Sequence, residues 1–164
     1  MRHRSIAGSE LRPISVYHGR AAICWEVLES LPEWFGIPVS VESYVAAADE
    51  LPMLAYFATD EVVGFVSVKT HTAFAAEVYV MGVKLPWHRR GIGRALIDAA
   101  AELAISQGVR FLTVKTLSPL NDDPNYARTR LFYEAVGFIT IEEFPILGGP
   151  ENPCIFVIRP LGLA

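Results

Sequence analysis

The feature that most constrains this chain is a strand of buried character that runs through a short loop into an amphipathic helix. The strand is predicted at Glu77–Leu85, where nearly continuous apolar residues are typical of a central strand covered on both faces. From Arg90 to Ser106 the apolar residues recur at helical spacing, and Gly108 ends the helix. This unit predicts an α/β fold with the strand at its centre.

The loop and first helical turn of this unit have the composition of an anion site. They contain His88-Arg89-Arg90-Gly91-Ile92-Gly93-Arg94. The first N–H groups of a helix have no intrahelical partner, and the glycines let an anion approach them closely. Alternatively, the glycines serve only close helix–sheet packing and the arginines are solvated. The position between a buried strand and an amphipathic helix favours a site for a diphosphate.

Two better-known phosphate motifs fit this segment less well. A P-loop is excluded because no Gly-Lys-Ser/Thr follows the glycines. For a Rossmann dinucleotide site, Leu96 stands where the third glycine belongs, and the next strand ends in Lys115-Thr116 without an acid for a ribose. A nucleotide-binding Rossmann protein is therefore a remote alternative.

The rest of the chain predicts further strands and helices with no repeat or linker, and hence one domain over residues 1–164. Strands are predicted near Ile14–Tyr17 and at Met53–Thr59, Val62–Thr70, Phe111–Thr116, Phe138–Phe144 and Cys154–Ile158. Helices are predicted at Arg20–Ser30, at Val41–Ala48 with Ser40 as N-cap, and at Ala127–Val136.

Composition excludes several classes of protein. The net charge of −4 is unfavourable for a nucleic-acid binder, which needs a basic surface. Cys24 and Cys154 lie far apart, and the four histidines form no spaced cluster, so we expect neither a disulfide framework nor a metal site. No apolar run is long enough to span a bilayer, and we expect a cytoplasmic protein without a membrane partner.

Two motifs stand in a fixed order along the chain. The first is His88-Arg89-Arg90-Gly91-Ile92-Gly93, and the second is Leu131-Phe132-Tyr133-Glu134-Ala135-Val136-Gly137-Phe138. Together they resemble the GNAT superfamily of N-acetyltransferases, with His88 replacing the usual Gln or Arg. The resemblance covers nearly the whole chain. It implies a mixed, mostly antiparallel sheet of six to seven strands, flanked by about four helices and split between the fourth and fifth strands.

The resemblance also implies acetyl-CoA as co-substrate and a set of residues that bind it. The diphosphate would lie on the loop and helix start, and the pantetheine arm would pair with the main chain of Met81 and Val83. Tyr126 occupies a position where many relatives carry Asn. The implied cofactor-binding residues are Met81, Val83, His88, Arg89, Arg90, Gly91, Ile92, Gly93, Arg94 and Tyr126. Relatives often dimerise, so a homodimer is a further implied partner.

Transfer of an acetyl group to an amine needs a base, an oxyanion donor and an acid. Glu77 is the candidate base because it lies in a central apolar strand; the alternative is a strand-end glutamate that faces solvent. Tyr133 is the candidate acid by resemblance, whereas its pattern alone favours a core tyrosine. The Val83 N–H would be the oxyanion donor, also by resemblance.

The acceptor is the least constrained part of the prediction. By resemblance, the loop between the first two helices lines the acceptor site, and here it contains Glu33, Trp34 and Phe35. The aromatic pair either walls a pocket or pins the loop to the core. A small-molecule or peptide amine is the predicted acceptor. The alternative function is a non-catalytic acyl-CoA-binding sensor of the same fold, which would keep the anion site without needing Glu77 or Tyr133.

Overall fold

The computed structural model describes residues 8–14 and 18–162. Within them it has seven strands, β1 to β7, and four α-helices, α1 to α4. In chain order the elements are β1 (Ser9–Ile14), α1 (Arg20–Glu29), α2 (Pro38–Ala48), β2 (Met53–Ala58), β3 (Glu61–Thr70), β4 (Ala75–Val83), a 3-10 turn (Leu85–Trp87), α3 (Ile92–Ser106), β5 (Phe111–Leu117), α4 (Pro124–Ala135), β6 (Ile139–Phe144) and β7 (Cys154–Pro160).

The seven strands form one mixed sheet in the order β1-β2-β3-β4-β5-β7-β6. Strands β1, β2 and β3 are antiparallel neighbours, as are β5, β7 and β6. The parallel pairing of β4 with β5 joins Ala75–Glu77 to Phe111–Thr113, whereas β4 itself continues to Val83. The two strands therefore part after Glu77, and the predicted fold with its split between the fourth and fifth strands is confirmed.

One compact unit contains residues 8–69, apart from 15–17, together with residues 78–102. Its core packs α1 and α2 against β2 and β3, and Val27, Leu28 and Phe65 have no exposed surface. Gly82 of β4 allows the close approach of α1, because a Cβ there would lie 3.0 Å from Cγ1 of Val27 and 3.1 Å from Cδ1 of Leu31. A larger residue at position 82 would push α1 away from the strand.

The other compact unit contains residues 70–77 and 103–162. Here β5 lies beside the three-residue start of β4 on one side and beside β7 on the other, and β6 is the edge strand. Leu112, Val114 and Val157 are buried on these strands. Tyr133 of α4 and Phe138, just beyond α4, are also buried, with their ring centroids 5.4 Å apart. The pair anchors the end of α4 by aromatic packing.

Several element boundaries differ from the prediction, and β4 itself is Ala75–Val83 where Glu77–Leu85 was predicted. The first strand is Ser9–Ile14 and lies earlier than predicted, while residues 15–17 of the predicted strand are outside the described residues. Ser40 does not cap α2: Ile37 is the N-cap, and the helix begins at Pro38. Proline is favoured at the first helical position because its fixed φ suits the helix and its missing N–H is not needed there.

Helix α4 begins at Pro124, three residues before the predicted Ala127, because Asp123 caps it. The Asp123 carboxylate accepts hydrogen bonds from the N–H groups of Asn125 and Tyr126, at 2.8 and 3.3 Å. These bonds satisfy two of the N–H groups that open the helix. The sequence signal was the Asp-Pro pair, an N-cap residue followed by proline at the first helical position.

We expect Asp123→Ala to lower the free energy of unfolding by about 1 kcal/mol, the usual effect of removing an N-cap side chain. Urea unfolding monitored by circular dichroism measures the change. Asp122→Ala is the matched control, because its exposed side chain makes no cap, and it should stay within about 0.5 kcal/mol of the wild type. Equal effects of the two substitutions would contradict the capping role of Asp123.

Candidate active site

The loop from β4 into α3, here called the cradle (His88–Arg94), has a left-handed backbone at two positions. Gly91 has φ 82° and Arg89 has φ 59°. The first α3 hydrogen bond joins the Ala95 N–H to the Gly91 carbonyl at 3.0 Å, so α3 begins at Ile92 and not at the predicted Arg90. Glycine adopts the backbone conformation at position 91 without strain, which lets the chain turn sharply into the helix.

The cradle presents positive groups around the start of α3. The side chains of Arg89, Arg90 and Arg94 are exposed, while the Ile92 side chain is buried and ties the helix start to the core. The Arg90 guanidinium lies over the Trp87 ring at 5.0 Å from its centroid. The first N–H groups of a helix have no intrahelical partner, and together with the positive helix end and these arginines they favour an anion at this end of α3.

His88 has a structural role that the sequence did not indicate. Its Nε2 lies 2.6 Å from the Val83 carbonyl oxygen, and its ring meets Trp34 edge-on at 5.7 Å. The imidazole therefore closes the turn that follows β4. Met81 and Val83, at the end of β4, are half-buried. Lys84 beside them is occupied by acidic partners, with its Nζ 2.6 Å from a carboxylate oxygen of Glu26.

Glu77 is buried in the interior of β4, with 6% of its surface exposed. The alternative prediction of a solvent-facing glutamate at a strand end is therefore wrong. Its Oε1 lies 2.8 Å from Nε2 of His71, and its Oε2 accepts a hydrogen bond from Nζ of Lys115 at 3.2 Å. A buried carboxylate is costly without such partners, and these two offset the cost. Sequence reasoning missed both partners, because the fold alone brings them to Glu77.

Tyr133 is buried and lies in an aromatic cluster, with its ring centroid 5.3 Å from Phe132. It also lines a cavity of about 530 Å³ between α4 and strands β5, β6 and β7. The Tyr133 ring thus has the packing of a core tyrosine while the residue borders an open space. Tyr126 lies in the first turn of α4 and is half-buried.

The loop between α1 and α2 is held by its aromatic residues. The N–H groups of Trp34 and Phe35 both bond to the Leu31 carbonyl, at 3.1 and 3.0 Å. Phe35 meets Tyr44 edge-on at 6.2 Å, and Tyr44 in turn meets Tyr79 at 5.6 Å. Trp34 and Phe35 are half-buried. Their side chains therefore hold the loop in place and still present some surface to solvent.

Glu33 in the same loop is exposed. Tyr44 and Tyr79 extend the aromatic surface of this loop, and the sequence analysis did not single them out. The Lys69 ammonium lies 5.3 Å from the centroid of the Tyr79 ring. The contact shows that an ammonium group packs against the aromatic ring of Tyr79.

The two cysteines have protonated thiols. Burial raises the pKa of the Cys24 thiol to about 12. Burial also raises the pKa of the Cys154 thiol, although the nearby Lys115 ammonium acts in the opposite direction. Because the thiolate is the nucleophilic form, neither cysteine is activated for attack on a thioester.

The described residues contain no candidate metal site and no candidate membrane-spanning helix. No group of three or more His, Cys, Asp or Glu side chains in residues 8–14 and 18–162 is arranged to hold a metal ion. Over the same residues, no helix combines the length and the apolar character needed to cross a membrane.

The fold and the motif-bearing loop define an acetyltransferase of the GNAT type. The sequence-family model of the GNAT acetyltransferase domain matches residues 41–140, which include the cradle, Glu77 and Tyr133. The chain therefore belongs to the GNAT acetyltransferase family. No curated protein sequence matches it.

Several solved structures share the fold. A protein assigned to the GNAT family from Desulfovibrio desulfuricans is 20% identical, with a TM-score of 0.81 over 94% of this chain and 99% of its own. The ribosomal-protein-S18-alanine N-acetyltransferase from Escherichia coli is 16% identical, with a TM-score of 0.71 over 95% and 96%. An aminoglycoside 6'-N-acetyltransferase complexed with coenzyme A is 16% identical, with a TM-score of 0.72 over 94% and 98%. At sequence identities this low, the similarity shows a shared fold and nothing more.

Proposed function

We propose that this protein transfers an acetyl group from acetyl-CoA to a primary amine by direct attack of the amine on the thioester. The observation that carries the proposal is the cradle, in which a left-handed Gly91 precedes the first turn of α3 and three exposed arginines lie in or next to that turn. Such a helix start suits the diphosphate of coenzyme A. Membership of the GNAT acetyltransferase family and the CoA complex of one fold neighbour support this choice of ligand.

In this proposal, the cradle residues His88 to Arg94 bind the diphosphate, with Met81, Val83 and Tyr126 along the pantetheine arm. The main-chain N–H groups of Ile92 and Gly93 and the guanidinium groups would face the phosphates. His88 contributes through the Val83 carbonyl that it bonds, which shapes the turn, while its ring is engaged by Trp34. The main-chain N–H of Val83 is the proposed oxyanion donor.

The proposed chemistry uses Glu77 and Tyr133. A negative charge at Glu77 draws a proton from the acceptor ammonium, which frees the lone pair that attacks the thioester carbonyl. Tyr133 then gives a proton to the departing thiolate, a transfer within reach because the phenol pKa of about 10 is only slightly above a thiol pKa of about 8.5. The raised pKa values of both cysteine thiols favour direct transfer over an acyl-cysteine intermediate.

The proposed acceptor is a small-molecule or peptide amine. Glu33 offers a negative charge to an ammonium, and Trp34 and Phe35 offer aromatic faces to the group that bears it. The Lys69 contact with Tyr79 supports an amine-compatible surface in this part of the chain. The fold neighbours include an acetyltransferase of aminoglycosides and an acetyltransferase of a ribosomal-protein alanine.

A transfer screen tests the proposal. The pure protein is incubated with acetyl-CoA and a panel of polyamines, aminoglycosides, amino acids and peptides, and the released CoA thiol and the acetylated amine are both measured. We expect release that depends on one class of amine, with one acetylated amine formed per thiol. CoA binding without transfer to any amine would contradict an enzyme and would instead indicate the non-catalytic acyl-CoA-binding module.

A further inference from the structure

We propose that His71 accepts the proton from the acceptor ammonium, with Glu77 as the carboxylate that orients it. This inference rests on the proposed function and deepens it, because it assigns the base to a histidine–glutamate pair rather than to Glu77 alone. Nothing in the motifs or in the spacing of the sequence indicates His71. The pair arises from the turn that joins β3 to β4.

The turn holds His71 in a fixed backbone position. The His71 N–H donates to the Ala75 carbonyl at 3.0 Å, which closes the hairpin. The Thr72 hydroxyl accepts hydrogen bonds from the N–H groups of Phe74 and Ala75, both at 3.1 Å. A threonine that bonds to the main chain two and three residues ahead stabilises a local turn. The turn therefore presents the His71 side chain towards the start of β4 in one orientation.

The side-chain pair is buried at one end and exposed at the other. The Glu77 side chain is 7% exposed, whereas that of His71 is 39% exposed, and 2.8 Å separates Oε1 from Nε2. A carboxylate only accepts hydrogen bonds, so the nitrogen facing it carries the hydrogen, and in the neutral ring Nδ1 then holds the lone pair. Nδ1 makes no hydrogen bond to the described residues. It is therefore the basic atom of the pair.

Lys115 explains why Glu77 suits an orienting role. Its Nζ donates to the second carboxylate oxygen at 3.2 Å, so both oxygens of Glu77 already accept a hydrogen bond. The carboxylate is thereby locked in orientation, and it still stabilises positive charge on the imidazole that faces it. This division of work, with one buried acid that fixes the ring and an accessible ring nitrogen that takes the proton, is a general solution to base catalysis.

Two protons leave the acceptor nitrogen during the reaction, and each has a defined destination. The ammonium of the acceptor gives one proton to Nδ1 of His71, which becomes an imidazolium next to the Glu77 carboxylate and later releases that proton to water. The free amine forms the new N–C bond as the C–S bond breaks. The second proton leaves the nitrogen in this step and is taken up, through water, by the Tyr133 oxygen, which has given its own proton to the thiolate. The products are the acetylated amine, CoA thiol and one proton.

The pH dependence follows from the groups around the ring. Glu77 on β4 faces the ring directly, and Lys115 on β5 bonds the other oxygen of that carboxylate. Burial raises the pKa of the Cys154 thiol on β7, which interacts electrostatically with Lys115 and Glu77. Only the neutral imidazole accepts a proton. The kcat/KM for the amine should therefore fall towards acid pH, and this acid limb should depend on the presence of the imidazole.

The experiment compares wild type, His71→Asn and the matched control His18→Asn, an exposed histidine outside the pair. With an amine found in the transfer screen, we expect His71→Asn to lower kcat/KM about 1,000-fold, within the range for a general base. Its pH profile should lose the acid limb, while its affinity for CoA by calorimetry stays unchanged. In His71→Ala, free imidazole in the buffer should restore part of the rate, because the site is open to water.

Different outcomes separate this inference from the function on which it rests. An active wild type with a His71→Asn variant of equal kcat/KM and identical pH profile would overturn the role of His71 and leave the acetyltransferase intact. The same holds if His71→Ala loses activity but imidazole restores none of it, since that indicates a structural role. A wild type that binds CoA but acetylates no amine would overturn the proposed function, and the role of His71 with it.

Discussion

Glu77→Gln is expected to lower kcat about 1,000-fold, within the range that general acid–base groups contribute. The substitution removes the negative charge that draws the amine proton, yet it keeps the volume and a carbonyl oxygen for Nε2 of His71. Lys115 tolerates the change because its side chain is 46% exposed and its ammonium hydrates in place of the lost partner. The loss should therefore appear in turnover and leave the fold intact.

The rate deficit of Glu77→Gln should change with pH in a predictable direction. At higher pH more of the acceptor amine is already deprotonated, so the deficit of Glu77→Gln relative to wild type should shrink as pH rises. Steady-state kinetics with the amine from the transfer screen measure it, with circular dichroism as the check on folding. Glu142→Gln, on the exposed edge strand β6, is the matched control and should keep wild-type rates. A constant ratio of Glu77→Gln to wild-type rates at all pH values would argue against proton removal.

Tyr133→Phe is expected to reduce kcat about 1,000-fold while the affinity for CoA stays within about twofold. The ring packs against Phe132 and Phe138 by its faces and edges, and phenylalanine keeps that packing. Only the hydroxyl is lost, and with it the proton for the departing thiolate. The effect should therefore fall on the chemical step and not on binding.

Pre-steady-state release of CoA thiol measures the Tyr133 effect, and calorimetry measures the affinity. Tyr56→Phe is the matched control, because the Tyr56 hydroxyl bonds Ser9 on β1 and takes no part in the proposed chemistry. A Tyr133→Phe variant with unchanged kcat would remove the acid role and leave Tyr133 as a core residue. If product release limits kcat, a slower chemical step does not appear in kcat. The single-turnover rate, which does not include product release, therefore decides the role of Tyr133.

Most of the fold was predictable from the sequence because its signals are local. The apolar run from Val78 to Val83, the amphipathic helix that ends before Gly108, and the hairpin around Asp60 each depend on a few neighbouring residues. The errors lie at the first strand, at the ends of β4 and at the helix starts. Pro38 and the Asp123-Pro124 pair set the beginnings of α2 and α4, and reading proline as the first helical residue would have placed both.

The partners of the candidate site were less predictable, because they arise from tertiary pairing. His71 and Lys115 reach Glu77 only when the β3–β4 turn closes and β5 pairs with the start of β4. The bond from His88 to the Val83 carbonyl likewise needs the turn after β4 to form. No spacing rule along a chain encodes such contacts, whereas the glycines and arginines of the cradle are adjacent and are visible in the sequence.

The central claim is that the cradle binds the diphosphate of coenzyme A. Calorimetric titration of CoA into the pure, folded protein tests it most directly, because it needs neither the acceptor nor turnover. We predict saturable uptake of one CoA per chain, with an affinity that falls as salt screens the arginines. A folded protein that takes up no CoA, at low salt as at high, would contradict the claim.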